Sequence, residues 1–501
     1  MKKSLQAVQF AASIPIILCS EAAVQAQDSV DVRAGENKAD LLLAKADEGS
    51  SSDTQSQSDS ESQAIAPSSD LYLPNQPQKV QIQTNRPITI EEAIALAIQN
   101  NKQLQQARLN LKRSEQQLQE AKAARYPVLS AGVGLSQTDS AQAEISLESN
   151  RQLGNNIEDE SFQRTFNGNL NLEYDVYTGG GRGATIQRAE KEVEVARLNL
   201  EQINFETRFQ ASRDYYSLQN ADSQVNIEQA AVREATETLK NAELLKQAGS
   251  GTEFDVIRAE VELANAKQRL ITAQAQQSTA RRQLIATLDV GQQIELRTAD
   301  KIEPAGDWKF TLEETIVMAY SNRAELQQLL LDKEINLKDK QIALAAVRPQ
   351  VGIAASYNLL DAHDDGVGIN DGYSVSANVE WNIFDGGAAR ARARQSETDA
   401  EISEVQFADR RNEVRLEVEQ GYYALTANQE NIETSNKALE LAEESLELAR
   451  FRFQAGVGTQ TDVIQAQSEL TTARANYLSS IVDYNQSLNQ LERAVAILPN
   501  T

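Results

Sequence analysis

The chain has 501 residues and a formal net charge of −25, because 73 aspartates and glutamates outnumber 48 lysines and arginines. This acidic balance argues against a nucleic-acid partner, which would need a basic surface. A single histidine, His363, and a single cysteine, Cys19, argue against multi-histidine metal sites, thiolate metal sites and histidine-dependent catalysis, so we expect no cofactor and no enzymatic activity.

The N-terminal residues have the pattern of a secretory signal peptide. Lys2 and Lys3 precede a moderately apolar stretch, residues 7–18, and Val24–Gln25–Ala26 has the small residues of a cleavage site. From this pattern, we predict that residues 1–26 are removed, which leaves a mature chain without cysteine. The alternative interpretation is a buried N-terminal helix.

Residues 27–86 form an acidic, Ser/Gln-rich segment of low complexity without apolar periodicity, which predicts a linker. Beyond the signal peptide, no apolar run reaches the ~18–20 residues that a membrane-spanning helix requires. The chain would therefore cross a membrane with strands or remain in an aqueous compartment.

The remainder of the chain contains two copies of one unit. Residues 171–180 (NLEYDVYTGG) return as 378–387 (NVEWNIFDGG), and residues 247–257 return as 454–464, at a constant offset of 207 (378 − 171 and 454 − 247). Upstream, residues 89–92 match the sequence from Thr311 at an offset of 222 (311 − 89). The first copy is therefore longer by 15 residues (222 − 207), and we predict a duplicated unit with one loop of variable length.

Each copy predicts a long helical hairpin. In the first copy, small and apolar residues recur at spacings of three and four over residues 90–125 and 184–245, and a further helix runs from 252 to 288. The residues that break and restart the helices at the hairpin tips are Gly249, Gly251 and Thr252, and in the second copy Gly456, Gly458 and Thr459.

Between the helices, four segments alternate between apolar and polar residues, as strands with one apolar face do. They are residues 129–136, 166–176, 351–357 and 373–383. The same alternation occurs in an antiparallel sheet over a soluble core, so the pattern alone leaves both interpretations open. The signal peptide and the missing spanning helix favour strands with lipid on one side and water on the other.

Open sheet edges cannot face lipid, and outer-membrane barrels have about eight strands or more. Four strands per chain therefore predict one barrel shared among several copies, with the polar hairpins continuing the barrel wall in an aqueous compartment. The predicted fold class is an α+β membrane protein with four transmembrane strands per chain and long antiparallel helical hairpins.

The signal peptide, the duplicated helix–strand–strand–helix–helix unit, the glycines after the strands and the Gly–Thr–x–x–Asp–Val tips at 251–256 and 458–463 resemble the TolC-type outer membrane efflux proteins. The resemblance divides the chain into a first repeat (87–290), a connecting segment (291–309) and a second repeat (310–498). It implies a homotrimer with a 12-stranded barrel and a periplasmic α-barrel.

The same resemblance implies a location and partners. The protein would lie among the lipids of the outer membrane of a Gram-negative-type cell, with its helices in the periplasm. It would be the passive exit duct of a tripartite efflux or type I secretion system, supplied by a periplasmic adaptor protein and an inner-membrane ABC or RND-type pump.

By resemblance, the hairpin tips contain an adaptor-docking surface and a gate. The docking positions are Gly249, Gly251, Thr252, Gly456, Gly458 and Thr459, and the gate positions are Asp255, Asp462, Arg258, Gln465 and Phe453. Asp462 matches an acidic ring of the family, and Asp255 matches the acid of its gate network. Gln465, Gly458 and Phe453 stand where the family has a second acid, an arginine and a tyrosine, so the sequence departs from the family's ionic lock.

Both tip aspartates also have a local interpretation. They close Thr–x–x–Asp motifs, which are typical of the first turn of a helix. Arg258 lies three residues after Asp255 and is expected to pair with it.

Three acids on the polar strand faces, Glu173, Asp175 and Glu380, predict an acidic pore lumen, and the alternative is solvated sheet surface. A non-conducting coiled-coil scaffold of the cell envelope is the alternative function, although a scaffold needs no apolar strand face. A paired-carboxylate hydrolase has only acids scattered along helix faces to support it.

Overall fold

The computed structural model describes residues 84–139, 141–153, 162–291, 293–363 and 368–497. All of them belong to one unit of the chain, Pro74–Thr501. The predicted signal peptide, Cys19 and the predicted linker up to residue 83 lie outside the described residues, so those interpretations stay predictions.

The described residues form nine helices and six strands. The elements before the second repeat are β1 (Thr84–Ile88), α1 (Ile90–Asn100), α2 (Lys102–Ala123), β2 (Val128–Asp139), α3 (Ala141–Gln152), β3 (Phe162–Thr178), α4 (Gly181–Gln247), α5 (Glu253–Leu288) and β4 (Ile294–Thr298). The second repeat consists of α6 (Leu312–Asn322), α7 (Ala324–Ala345), β5 (Gln350–His363), β6 (Asn370–Glu380), α8 (Ala388–Gln454) and α9 (Gln460–Val495).

The predicted duplication is confirmed in the lengths of the helices. Both α4 and α8 have 67 residues, and both α5 and α9 have 36. The shorter pairs also agree, since α1 and α6 have 11 residues and α2 and α7 have 22. At 1.5 Å per residue, α4 and α8 are each about 100 Å long.

The predicted single helix over residues 90–125 is wrong, because two helices, α1 and α2, meet at Asn101. This residue has extended backbone angles (φ −56°, ψ 125°), and its side chain accepts a hydrogen bond from the Leu104 amide at 3.0 Å. Asn101 therefore caps α2 and ends α1. The second repeat breaks at the equivalent position, Arg323.

Two further predictions need correction between the helices. The extra residues of the first repeat include a helix, α3, which the sequence patterns did not predict. The fourth strand ends at Glu380 rather than at residue 383. The reason is that β6 lies at the edge of the sheet, so residues 381–385 have no second strand beside them, whereas β3 pairs on both sides.

The four predicted strands form one antiparallel sheet in the order β2–β3–β5–β6. The register aligns apolar residues on one face, for example in the row Leu129, Leu172, Ala355 and Val375. On the other face, the neighbouring row consists of Ser130, Asn171, Ser356 and Ser374. The apolar face is exposed along all four strands. Of the described helices, none combines the length and the hydropathy needed to cross a membrane.

A small parallel sheet of β1 and β4 joins the ends of the first repeat, and the sequence patterns missed it. Residues 84–86, assigned to the linker, and residues 294–298, assigned to the connecting segment, are therefore strands. The hydroxyl of Tyr215 on α4 donates to the Ile88 carbonyl at 3.1 Å and to the Asp300 carboxylate at 2.7 Å. Burial raises the pKa of Tyr215 further above its usual value, so the hydroxyl remains a donor.

The helices pack side by side in two spatial orders. Near the sheet, the order is α2–α4–α7–α8, and towards the hairpin tips it is α5–α4–α9–α8. Thus α4 has a helix on both sides, whereas α8 is the last helix in both orders, and α2 and α5 are the first. Among the described helices, none therefore lies against the outer faces of α2, α5 and α8.

A buried carboxyl on α9 makes the stability of this packing dependent on pH. Burial raises the pKa of Glu492 from 4.5 to about 7. Because the folded state holds this proton more tightly than the unfolded state, stability should fall as pH rises from about 4.5 through about 7. We expect Glu492→Gln to add about 2 kcal/mol at pH 8, discounted for partial exposure, and little at pH 4. Urea unfolding at both pH values tests this, and an equal effect at both would contradict it.

Candidate functional site

The two hairpin tips have the same turn. The amides of Ser250 and Gly251 both donate to the Leu245 carbonyl at 2.9 Å. In the second hairpin, the amides of Val457 and Gly458 donate to the Arg452 carbonyl at 3.0 Å. These bonds satisfy carbonyls at the ends of α4 and α8 that have no partner within the helix.

Each turn requires its two glycines for different reasons. Gly249 and Gly456 have φ angles of 76° and 73°, in the left-handed region that other residues adopt only with strain. Gly251 and Gly458 are crowded, since an added Cβ atom would lie only 3.0 Å from the Lys246 or Phe453 backbone nitrogen, and the backbone would have to shift. The sequence prediction of glycine turns at the tips is therefore confirmed.

We expect Gly456→Ala to lower the free energy of unfolding by about 1–2 kcal/mol, because alanine is strained at positive φ. Gly183→Ala is the matched control, since Gly183 lies inside α4 with no atom within 4 Å of the added methyl group. That control should stabilise the protein by about 0.5–1 kcal/mol. Equal effects of the two substitutions in thermal unfolding would contradict the assigned role of Gly456.

The predicted capping by the tip aspartates is confirmed. The Asp255 carboxylate accepts hydrogen bonds from the Thr252 amide at 3.0 Å and from the Thr252 hydroxyl at 2.6 Å. The Asp462 carboxylate accepts from the Thr459 amide at 2.9 Å. This bond lowers the pKa of Asp462 below its usual value, so the carboxylate is charged at neutral pH.

The other predicted gate residues have different partners. Arg258 does not pair with Asp255 in the described tip; its guanidinium lies 6.0 Å from the centre of the Phe254 ring, which corrects that prediction. The Gln465 amide donates to the Glu469 carboxylate at 2.9 Å. Phe453 packs against an apolar cluster of α8 and α9. The gate roles of these residues, like the adaptor-docking role of the tip glycines, stay predictions.

A groove of about 860 Å³ separates the two tips. Polar contacts that the sequence analysis missed cross it. The Gln460 amide donates to the Asp255 backbone carbonyl at 3.5 Å, and the Gln467 amide donates to the Thr238 hydroxyl at 3.0 Å. Further from the tips, the Glu234 carboxylate of α4 lies 3.5 Å from the Arg474 guanidinium of α9. On α9, Gln460, Gln467 and Arg474 recur every seven residues and therefore lie on one helical face. This spacing could have indicated a buried polar stripe, but only the structure shows that α4 packs against it.

The three predicted lumen acids lie on one face of the sheet. Glu173, Asp175 and Glu380 share the polar face through the register of β3, β5 and β6, near the ends of the strands that lead into α4 and α8. The guanidinium of Arg182 donates to the Asp175 backbone carbonyl and lies 5.7 Å from the centre of the Tyr174 ring. The acids therefore share one face, while their role in conduction stays a prediction.

These features agree with a comparison of the sequence with known families. A family model described as outer membrane efflux protein matches residues 93–289 and 315–496. The chain belongs to this family. The two matched segments lie within the two structural repeats, so each repeat is one copy of the outer membrane efflux protein unit, and the outer membrane is the location that the family shares.

Two individual relatives are distant from this chain in sequence. BepC of Brucella suis biovar 1 is 28% identical over 196 residues, which cover 38% of this chain and 41% of BepC. AprF of Pseudomonas aeruginosa, an alkaline protease secretion protein, is 23% identical over 189 residues, 36% of this chain and 39% of AprF. The alignments thus span about two fifths of each relative.

The fold similarity extends over most of the chain. The Campylobacter jejuni CmeC outer membrane channel superposes with a TM-score of 0.70 at 15% identity, covering 85% of this chain and 93% of that channel. The predicted fold class, strands in a sheet joined to long helical hairpins, is therefore that of outer membrane channels.

Proposed function

We propose that this outer membrane efflux protein forms a homotrimeric channel, the passive exit duct of a tripartite efflux or type I secretion system. A periplasmic adaptor would dock at the hairpin tips, and an inner-membrane ABC or RND-type pump would supply the substrate and the energy. Three sheets of four strands would close into a 12-stranded barrel in lipid, and the hairpins would form a periplasmic α-barrel.

The observation that carries this proposal is the set of surfaces that the single chain leaves without a neighbour. The sheet ends in two open edges, β2 and β6, and its apolar face is exposed. Tyr216 of α4 is 8% exposed, whereas the equivalent Tyr423 of α8 is 60% exposed. Tyr216 is buried because other helices of the chain pack on both sides of α4. The exposed Tyr423 therefore favours a second copy of the chain that covers α8 in the same way.

The polar face of the sheet supports a water-filled lumen. It carries serine and asparagine side chains along its length, with Glu173, Asp175 and Glu380 at the helical end. A scaffold that conducts nothing would not require one exposed apolar face opposite one hydrogen-bonding face. BepC is an efflux protein and AprF is a protease secretion protein, so both kinds of export stay within the proposal.

The direct test is single-channel recording of the purified protein in a planar bilayer under a salt gradient. We expect small, discrete, cation-selective steps. A protein that inserts as a trimer but stays silent would support a closed duct, which the addition of the hairpin-tip partner should open. A protein that never inserts into lipid would overturn the proposal in favour of the scaffold.

We expect Asp462→Asn to weaken cation selectivity of the channel. A trimer would place three charged carboxylates around one axis at the entrance, and rings of like charge attract cations. Asp483→Asn is a matched control, because it removes one exposed acid from the same helix about six turns away. Unchanged reversal potentials in Asp462→Asn, measured in a salt gradient, would contradict the proposed ring.

A further inference from the structure

Charge changes sign along the two long helices close to the sheet. The first eight residues of α4, 181–188, contain two arginines and no acid, and those of α8, 388–395, contain three arginines and no acid. The next eighteen residues of α4, 189–206, contain five acids and two basic residues, and those of α8, 396–413, contain six acids and two basic residues. In a chain with a net charge of −25, the helix ends that meet the sheet are therefore basic.

All four helices that connect to the sheet contribute to this basic zone. The helices α2 and α7 end just before β2 and β5, and each is followed by an arginine. Together with arginines of α4 and α8, these residues form the basic collar, which consists of Arg125, Arg182, Arg348, Arg390, Arg392 and Arg394. Five of the six are exposed, and Arg182 is half-buried.

No ion pair within the described part of the chain explains the collar. None of its six arginines forms one there, whereas Arg188, less than two turns further along α4 than Arg182, pairs with Glu192 and Asp339. Arg182 and Arg390 lie in the first turns of α4 and α8, where a positive charge opposes the helix dipole. The collar therefore points to an anion that is not part of the single chain.

The contacts of Arg182 place it on the apolar side of the sheet. Its guanidinium lies 5.7 Å from the centre of the Tyr174 ring, and Tyr174 pairs with Ile353 on the apolar face. Its hydrogen bond to the Asp175 backbone carbonyl leaves its positive charge without a counter-charge. An anion that approaches Arg182 from the apolar side would therefore meet an uncompensated cation.

Arg182 also lines a cavity of about 390 Å³ between α2, β3 and α4. The lining includes Tyr174 and Tyr126, which is 72% exposed. Two acids in the lining, Glu173 and Asp175, alternate with Tyr174 along β3 and therefore belong to the polar face. For a group on the apolar side, the cavity thus provides one guanidinium and two tyrosine rings.

The second repeat has an exposed aromatic residue at the same level. Trp381 stands at the position of Tyr174 (381 − 207), two residues after Val379 of the apolar face. Its indole donates to the Val347 carbonyl at 3.1 Å, next to Arg348, and 56% of the residue is exposed. Tryptophan and tyrosine collect at the level of lipid headgroups, beside the apolar band of a barrel. The collar therefore lies where the apolar face of the sheet ends.

We propose that the basic collar binds the headgroups of anionic phospholipids, such as phosphatidylglycerol, in the membrane leaflet next to the helices. The inference rests on the proposed function, because it requires the apolar face of the sheet to lie in lipid. It adds a selection among lipids to that function.

The chemistry of the two partners carries this selection. A guanidinium donates two parallel hydrogen bonds to a phosphate, and arginines without acidic partners retain a net attraction for a lipid that carries net charge. A zwitterionic headgroup also has a phosphate, but its own cation cancels that attraction. Each basic residue near an anionic surface favours binding by about fivefold.

Trp381 permits a local measurement, since the chain has only one other tryptophan, Trp308. The purified protein with Trp308→Phe is reconstituted into vesicles of a four-to-one mixture of phosphatidylcholine and phosphatidylglycerol. One lipid at a time carries brominated acyl chains, which quench tryptophan fluorescence. We expect phosphatidylglycerol to bind beside Trp381 at least about fivefold more tightly than phosphatidylcholine.

Substitutions near Trp381 test whether the collar causes this preference. Arg348→Gln with Arg390→Gln and Arg394→Gln should abolish the preference for phosphatidylglycerol, because it removes three positive charges. Lysine at the same three positions keeps the charges and should keep most of the preference.

The matched control removes three charges elsewhere on the same helices. Arg233→Gln with Lys240→Gln and Arg411→Gln changes exposed residues of α4 and α8 that lie about 25 Å or more from the collar along the helices. We expect this variant to keep the full preference. A preference that fell equally in the control would be due to the overall charge of the protein, and the inference would then be wrong.

Quenching by brominated phosphatidylcholine separates this inference from the proposed function. If that lipid does not quench Trp381, the sheet does not lie in lipid and the proposed function fails. If it quenches Trp381 in every variant, but phosphatidylglycerol has no preference or keeps it after the glutamine substitutions, only the collar inference is overturned. Loss of the preference in inorganic phosphate, but not in chloride of equal ionic strength, would indicate a site for free phosphate and would also overturn it.

Discussion

Leu170→Arg is expected to prevent stable insertion of the protein into membranes. Leu170 lies at the middle of β3, between Ala131 and Tyr357 on the apolar face. A charged residue at the middle of a lipid-facing barrel surface costs about 2–4 kcal/mol, and a trimer would contain three such sites. Flotation of the protein with liposomes, followed by heat-modifiable migration on gels, measures the loss.

The neighbouring residue on the opposite face provides the control. Asn171 lies in the same strand between Ser130 and Ser356, so Asn171→Arg places the same charge on the polar face. We expect this variant to insert normally and to alter only ion selectivity. If both variants inserted equally well, or if only Asn171→Arg failed, the assignment of the two faces to lipid and water would be wrong.

Arg323→Ala is expected to lower the free energy of unfolding by about 3 kcal/mol. Arg323 is 2% exposed at the junction of α6 and α7. Its guanidinium donates to the Glu417 carboxylate at 2.7 Å and to the Ala494 carbonyl at 3.2 Å, and it lies 3.1 Å from Glu325. Removal of this buried cation leaves carboxylates and a carbonyl without their donor.

The expected loss of unfolding free energy is at the lower end of the range for buried ion pairs because of a second arginine, Arg410. Its guanidinium lies 3.2 Å from both Glu325 and Glu417, so it still neutralises part of their charge when Arg323 is removed. The double variant Arg323→Ala with Arg410→Ala should therefore lose more than the sum of the single variants. Arg415→Ala is the control, because the exposed Arg415–Glu419 pair should contribute less than about 1 kcal/mol. Similar losses from Arg323→Ala and Arg415→Ala in urea unfolding would contradict this account.

This ionic cluster also accounts for a difference between the two repeats at the break between their first two helices. The first repeat has Asn101 where the second has Arg323, and its helix break is held by a local cap rather than by distant carboxylates. From the sequence alone, both positions lay inside or beside a helical pattern. The cluster could not be predicted, because two partners of Arg323 lie 94 and 171 residues away along the chain.

By itself, the sequence determined the features that depend on neighbouring residues and on repetition. The offset of 207 predicted the equal lengths of α4 and α8, and the glycines and Thr–x–x–Asp motifs predicted the tips with their capping aspartates. The alternation of 166–176 and 373–383 predicted one apolar face. These patterns have periods of two to seven residues or recur in both copies, so they can be read locally.

Only the tertiary structure decided which elements become neighbours. The end of β6 at Glu380, the β1–β4 sheet, the Tyr215–Asp300 contact and the glutamine contacts across the tips each depend on a partner distant in the chain. A polar side chain can serve several partners, and packing of the helices selects among them, which no local pattern records.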